Sequence, residues 1–161
     1  MVSTHLKSAA EVEKKLLDEQ HSAEASSAAV AKLQAAGVIN DAELASSLAR
    51  LKWRVSHYGR TRVKLALSQR LLSAEATEAA LDGLFGPGGE AAAPAEREDG
   101  EEAGETFLFA AARKRWRASA ALPTEARERR LVGWLARRGH SWPDVRDVVQ
   151  KLKDESYRIE E

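Results

Sequence analysis

"SAEATEAAL" runs from Ser73 to Leu81, and nearly the same words, "SAEASSAAV", run from Ser22 to Val30. Serine is a strong helix N-cap, because its hydroxyl accepts a hydrogen bond from a first-turn amide that has no partner inside the helix. The glutamate two positions on suits the positive end of the helix dipole. Ala29, Val30 and Leu33 in the first copy, and Ala80, Leu81 and Leu84 in the second, then make one apolar stripe at three- and four-residue spacing. Upstream, Leu16 and Leu67 stand at the same distance before their serines. The constant offset reaches past the shared words, which argues for a duplicated unit rather than chance in an alanine-rich chain.

A third copy follows with its words changed. In "LARRGHSWPDVRDVVQKL", Ser141 is the cap and Asp144 completes a capping box, while Pro143 is tolerated in a first turn. Val148, Val149 and Leu152 repeat the stripe, and Leu135 takes the place of Leu16 and Leu67. A further helix precedes the second and third pairs. "NDAELASSLARLKWRV" starts at Asn40 or Asp41 and carries Leu44, Leu48, Leu51 and Val55 as its stripe; Gly59 then supplies the backbone freedom of a helix C-cap. "ETFLFAAARKRWRASAAL" does the same for the third unit, before Thr124 caps the next helix. Each complete unit is three helices, roughly 45 residues, the scale of a helical repeat.

The reading is therefore all-α, a tandem array of three-helix repeats expected to be elongated and curved. Its parts are a truncated first repeat (1–39), a second repeat (40–85), an acidic linker (86–105), a third repeat (106–153) and a C-terminal tail (154–161). Alternating strand patterns are absent and β-branched residues are few. The linker carries seven acids and one arginine among glycines and prolines, too little apolar surface to offset the entropy of ordering, so disorder is expected. With no cysteine, disulfides and thiolate metal sites are excluded. No apolar run approaches the roughly 18–20 residues that cross a bilayer. The opening "MVSTHLKSAAEV" lacks the apolar stretch of a secretory signal and begins almost directly on a helical pattern, the expectation for a trimmed N-terminus.

The 25 basic and 25 acidic residues cancel in number but not in place. Arg50, Lys52, Arg54, Arg60, Arg62, Lys64 and Arg70 follow one another with no acid between. Nine more bases lie between Arg113 and Arg138 against Glu125 and Glu128 alone. Arg60, Arg62 and Lys64 open the middle helix of the second unit; Arg127, Arg129 and Arg130 lie early in that of the third. Arg70 and Arg138 both stand three residues before a capping serine. Stacked on an array, such positions would form a positive stripe suited to a polyanion or an acidic groove, with salt-sensitive affinity. Any one of these arginines alone reads as an ordinary solvated helix face.

"LQAAGVINDAELA", "YGRTRVKLAL" and "LVGWLARRGHSWPDVRDVV" resemble successive signatures of the RecX family, small modulators of the RecA recombinase built from three tandem three-helix repeats. The family's aromatic-Ile/Leu-Asp-Asp turn is matched by Val38-Ile39-Asn40-Asp41, its glycine and base by Gly59-Arg60, and its closing run by Leu135 to Ser141. His140 replaces an aromatic there, Leu71 stands where a glycine is usual, and the acidic linker is longer than the family's. The resemblance implies a protein that binds a RecA-type recombinase, free or as a filament on single-stranded DNA. It further implies restraint of strand exchange, ATP hydrolysis and filament growth. It also implies a cytoplasmic location, or an organelle stroma or matrix for a trimmed eukaryotic form.

Partner or DNA contact is assigned to Arg60, Arg62, Lys64, Arg70, Arg127, Arg130, Arg137 and Arg138. A monomer is expected, with single-stranded DNA as a second candidate partner and no membrane. Two rival readings are a stand-alone DNA-binding helical module and a general helical-repeat scaffold. Trp116 shares a stripe with Phe109 and Ala112 and is expected in the core. Trp53, opposite the Leu44–Leu48–Leu51 stripe, either packs against a neighbouring unit, the favoured reading, or is exposed, and Trp134 and Trp142 are expected to be packing residues. His21 and His140 sit where the second unit has Leu72, a packing position rather than a metal site. "GPGG" has no following lysine and no serine has a base in a recognisable framework, so no enzyme activity, cofactor or metal is expected.

Overall fold

In the computed structural model, which describes residues 6–86 and 107–160, those residues form eight helices and no strand. They are α1 (Ala9–Asp18), α2 (Ala23–Ala35), α3 (Asp41–Ser56), α4 (Arg60–Ser68), α5 (Ala74–Phe85), α6 (Phe107–Ala118), α7 (Thr124–Arg137) and α8 (Trp142–Glu160). The repeated serines cap as the pattern requires. Ser22 accepts from the amide of Ala25 at 3.2 Å and Ser73 from that of Ala76 at 3.1 Å, with nearly the same extended backbone angles. Ser141 and Asp144 make the reciprocal bonds of a capping box, each at 3.3 Å. A further box, Ser8 with Glu11, starts α1. Helices α1 and α2 are thus the last two helices of a repeat, and α3–α5 and α6–α8 are complete ones.

Leu67, Leu81, Leu131, Leu135, Val145 and Leu152 are almost wholly shielded from solvent, and one continuous buried cluster runs from Leu44 to Leu152 through the second and third units. Val30 and Ile39 are buried outside that cluster. Apolar packing therefore unites units two and three, whereas the first unit is tied on by polar contacts. Ser8 Oγ donates to Arg70 O at 2.8 Å, and the Ala9 amide donates to Asp41 Oδ1 at 2.9 Å. Trp53, Trp116 and Trp134 are buried; Trp53 meets Phe85 edge-on at 5.5 Å and His140 of the third unit at 6.0 Å.

Several expectations are corrected. Val55 is 71% exposed although 100° per residue sets it between Leu44 and Leu48 around α3: it is the last residue but one of that helix, past the buried Trp53. Trp142 is 64% exposed, in the first turn of α8, and is not a packing residue among the described residues. His21 is exposed while Leu72, its counterpart, is buried. Pro123, not Thr124, precedes α7, so that helix has no side-chain cap. Helix α8 continues to Glu160, through all the described part of the segment read as a tail (154–161). The acidic stretch 86–105, read as disordered, lies outside the described residues except for Gly86.

Gly59 is not a C-cap. His57 takes that place with left-handed angles (φ 52°), and Gly59 is the N-cap of α4 with φ −74°, angles open to any residue. Glycine is required there by proximity: a Cβ would lie 2.4 Å from the backbone oxygen of Gly139. Gly139 in turn has φ +78°, and its Cβ would lie 2.7 Å from the amide of Arg62. The Gly59 amide donates to Arg138 O at 2.8 Å. Two glycines thus let the backbones of units two and three touch. The counterparts of Gly139 are Leu71 (φ 54°) and Gln20 (φ 66°), which hold the same left-handed turn with side chains that disfavour it.

Candidate functional site: an arginine-lined groove

The eight arginines and lysines singled out from the sequence divide by what they touch. Arg60 bonds Glu78 and Asp82, both at 2.9 Å, and Lys64 bonds Glu78. The Lys64 hydrogen bond, foremost, holds the Glu78 carboxyl below its ordinary range. Arg127 lies 4.3 Å over the Trp116 ring and donates to Trp116 O at 3.2 Å. The opening of the second unit's stripe is therefore largely neutralised by α5, and Arg127 is occupied in the wall of the third unit.

Arg70 and Arg138 are joint residues. Arg70 grips Glu11 through two bonds of 2.6 and 3.0 Å and donates to Leu6 O. That grip lowers the Glu11 pKa. Arg138 donates from Nε to Ser56 O at 3.0 Å across the joint between units two and three. The main-chain carbonyls of both arginines also accept from the preceding unit, one from Ser8 Oγ and the other from the Gly59 amide. Ser8 and Gly59 are the N-caps of α1 and α4, so one latch is used twice. Beside the second latch, His140 Nε2 donates to His57 O at 2.8 Å and the His57 ring meets Trp134 at 6.0 Å. Burial lowers the pKa of both imidazoles, with Arg138 adding to it at His57.

Arg62, Arg130 and Arg137 remain exposed, Arg62 with its guanidinium 5.7 Å from the Tyr58 ring. Arg130 and Arg137 belong to a groove of about 590 Å³ between α6 and α7, lined by Arg115, Leu122, Ala126, Arg129, Arg130, Gly133 and Arg137. Arg129, Arg130 and Arg137 make no hydrogen bond, ion pair or ring contact with the described residues. Arg115 lies 5.3 Å and Arg138 4.3 Å from the centre of the Trp134 ring. Burial, and then the nearby Arg115, lower the Arg138 pKa below its ordinary value. Among the described residues this is a concentration of positive charge with no carboxylate in the groove lining, and it suits a ligand carrying several negative charges. Arg115 comes from α6 and was missed among the sequence candidates, because nothing local announces that it faces α7.

Among the described residues no group of three or more His, Asp or Glu side chains is placed to hold a metal ion. No helix of the described residues is long and apolar enough to cross a membrane.

Residues 40–81 match the family model for the second three-helix domain of RecX, and residues 108–149 that for its third three-helix domain, together just over half of the chain. No curated protein matches the sequence significantly. Among solved structures, RecX from Lactobacillus salivarius aligns with a TM-score of 0.72 at 22% identity, over 94% of this chain and 89% of that one. A structure of a regulatory protein RecX aligns with a TM-score of 0.62 at 19% identity, over 92% of this chain and 65% of the other. At these identities the two structures bear on the fold.

Proposed function

The chain belongs to the RecX family, and from that premise we propose that it binds a RecA-type recombinase, above all its filament on single-stranded DNA, and restrains it. The observation that carries the proposal beyond family membership is the row of arginines along α7, Arg129, Arg130 and Arg137, that have no partner among the described residues, with Arg115 opposite. A filament of recombinase and DNA is a dense negative array, and arginine forks are the side chains best suited to phosphates and carboxylates. The arginines of the second unit serve differently: Arg60 and Lys64 fasten α4 to α5, and Arg70 fastens the first unit, while Arg62 is left to extend the contact.

The mode of action is binding rather than chemistry. A multi-unit array that touches more than one recombinase subunit favours whichever filament conformation it contacts better, and so shifts the population toward it. The test is the DNA-dependent ATPase of the recombinase with and without the protein. The proposal expects a lower rate that saturates with added protein and recovers as salt is raised. An unchanged rate at saturating protein contradicts it.

A further inference from the structure

On α7, Ala126, Arg130, Gly133 and Arg137 follow at spacings that put them on one helical face. Arginine and a very small residue alternate along it. Arg130 and Arg137 are about 10 Å apart along the helix axis, farther than one carboxylate or one phosphate group reaches, so the ligand must repeat its charge. Glycine in mid-helix is unfavourable relative to alanine. A Cβ at 133 would lie 3.2 Å from Arg137 Nη1, the tip of a flexible, exposed side chain that can shift by the few tenths of an ångström required.

The groove also reaches the joint. Arg115, in its wall, shares the Trp134 ring with Arg138, and the two guanidinium groups repel one another. Arg138 holds Ser56 O across to the second unit, beside the Gly59–Gly139 contact. Negative charge in the groove offsets that repulsion and leaves Arg138 seated on its carbonyl. We propose that a phosphate chain lying in the α6–α7 groove locks the second and third units together, with Arg138 as the positioning residue that transmits the effect. This rests on the reading of the groove as the working surface and adds its ligand chemistry and its consequence. Phosphate is favoured over a planar base contact because the nearest aromatic, Trp134, is buried beneath Arg115 and Arg138.

The chain has no cysteine, so Ala42→Cys on α3 and Gln150→Cys on α8, both exposed, accept spin labels without background. Distances between them are measured with inorganic polyphosphate, with a single-stranded oligonucleotide and with polyglutamate, no recombinase being present. The expected result is that polyphosphate and oligonucleotide both bind and narrow the distance distribution, and polyglutamate does neither. Narrowing by the oligonucleotide alone assigns the site to nucleic acid; narrowing by polyphosphate alone assigns it to the inorganic chain; both keep the proposal. Arg138→Gln should still bind polyphosphate but show no narrowing. Arg130→Gln should fold as stably yet bind polyphosphate about fivefold more weakly, the scale of one exposed ionic contact. Binding by polyglutamate only, phosphate binding with an unchanged distribution, or full narrowing in Arg138→Gln each overturns the proposal. A protein that slows the recombinase while ignoring every phosphate chain also overturns it and leaves the regulatory reading standing. Narrowing without any effect on a recombinase does the reverse.

Discussion

Replacing Gly59 with alanine probes the joint between units two and three with one methyl group. The angles at Gly59 suit alanine, so no strain arises from the backbone itself. The whole effect is contact: the new carbon would sit 2.4 Å from Gly139 O, 2.6 Å from its carbonyl carbon and 2.7 Å from His140 Cα. These are backbone atoms that no rotamer change can withdraw, so the joint must open by about 1 Å to restore ordinary contact. Overpacking of this kind costs about 1–3 kcal/mol. Opening also strips the 2.8 Å bond from the Gly59 amide to Arg138 O, worth about 1 kcal/mol net. The total is about 2–4 kcal/mol, which in a protein of this size lowers Tm by roughly 5–15 °C. Urea and thermal unfolding followed by circular dichroism measure it. Gly83→Ala is the internal control: nothing lies within 4 Å of its Cβ position in the last turn of α5, so stability should rise by up to about 0.5–1 kcal/mol. If Gly59→Ala stays within about 0.5 kcal/mol of wild type, the close-approach argument is wrong.

Leu71→Gly should raise stability by about 1 kcal/mol by relieving a left-handed leucine, since that side chain is 46% exposed and gives up little packing; thermal unfolding checks it. His57 and His140 both have folded pKa values below the unfolded value of 6.5, so the unfolded chain binds more protons as the medium becomes acidic. Stability is then full above pH 6.5 and falls as pH drops below it toward the folded values. His140→Phe should flatten that part of a Tm–pH curve. Arg70→Gln should loosen the first unit by about 1–2 kcal/mol, through Glu11 and Leu6 O. Hydrogen exchange should then show α1 and α2 losing protection while α3–α5 keep theirs.

The repeat was legible because its marks are local. A capping serine, an acid in the first turn and an i, i+3, i+4 stripe lie within a dozen residues, and Ser22, Ser73 and Ser141 all serve as the pattern implies. The "SAAE" at Ser8 carries the same signal. What escaped was set by distant partners. Gly59 looks like a helix terminator until residue 139 is brought against it. Arg70 and Arg138 look like surface charges until their partners, 59 and 82 residues away in sequence, are supplied by another unit. Trp142 shares the hydrophobicity of Trp134, yet one is 64% exposed in the first turn of α8 and the other buried within α7, a difference set by tertiary packing. The groove followed the same rule. Charge density marked Arg130 and Arg137, but their convergence with Arg115 depends on how α6 lies against α7.

The most direct measurement is the affinity of the fluorescently labelled chain for a recombinase filament on single-stranded DNA, with wild type beside Arg129→Glu/Arg130→Glu/Arg137→Glu. All three side chains are exposed and without partners among the described residues, so the helical circular-dichroism spectrum should be kept. The account predicts that the triple variant loses filament binding by at least about a hundredfold, and that wild-type affinity falls steeply with added salt. A triple variant that binds the filament as tightly as wild type would contradict it.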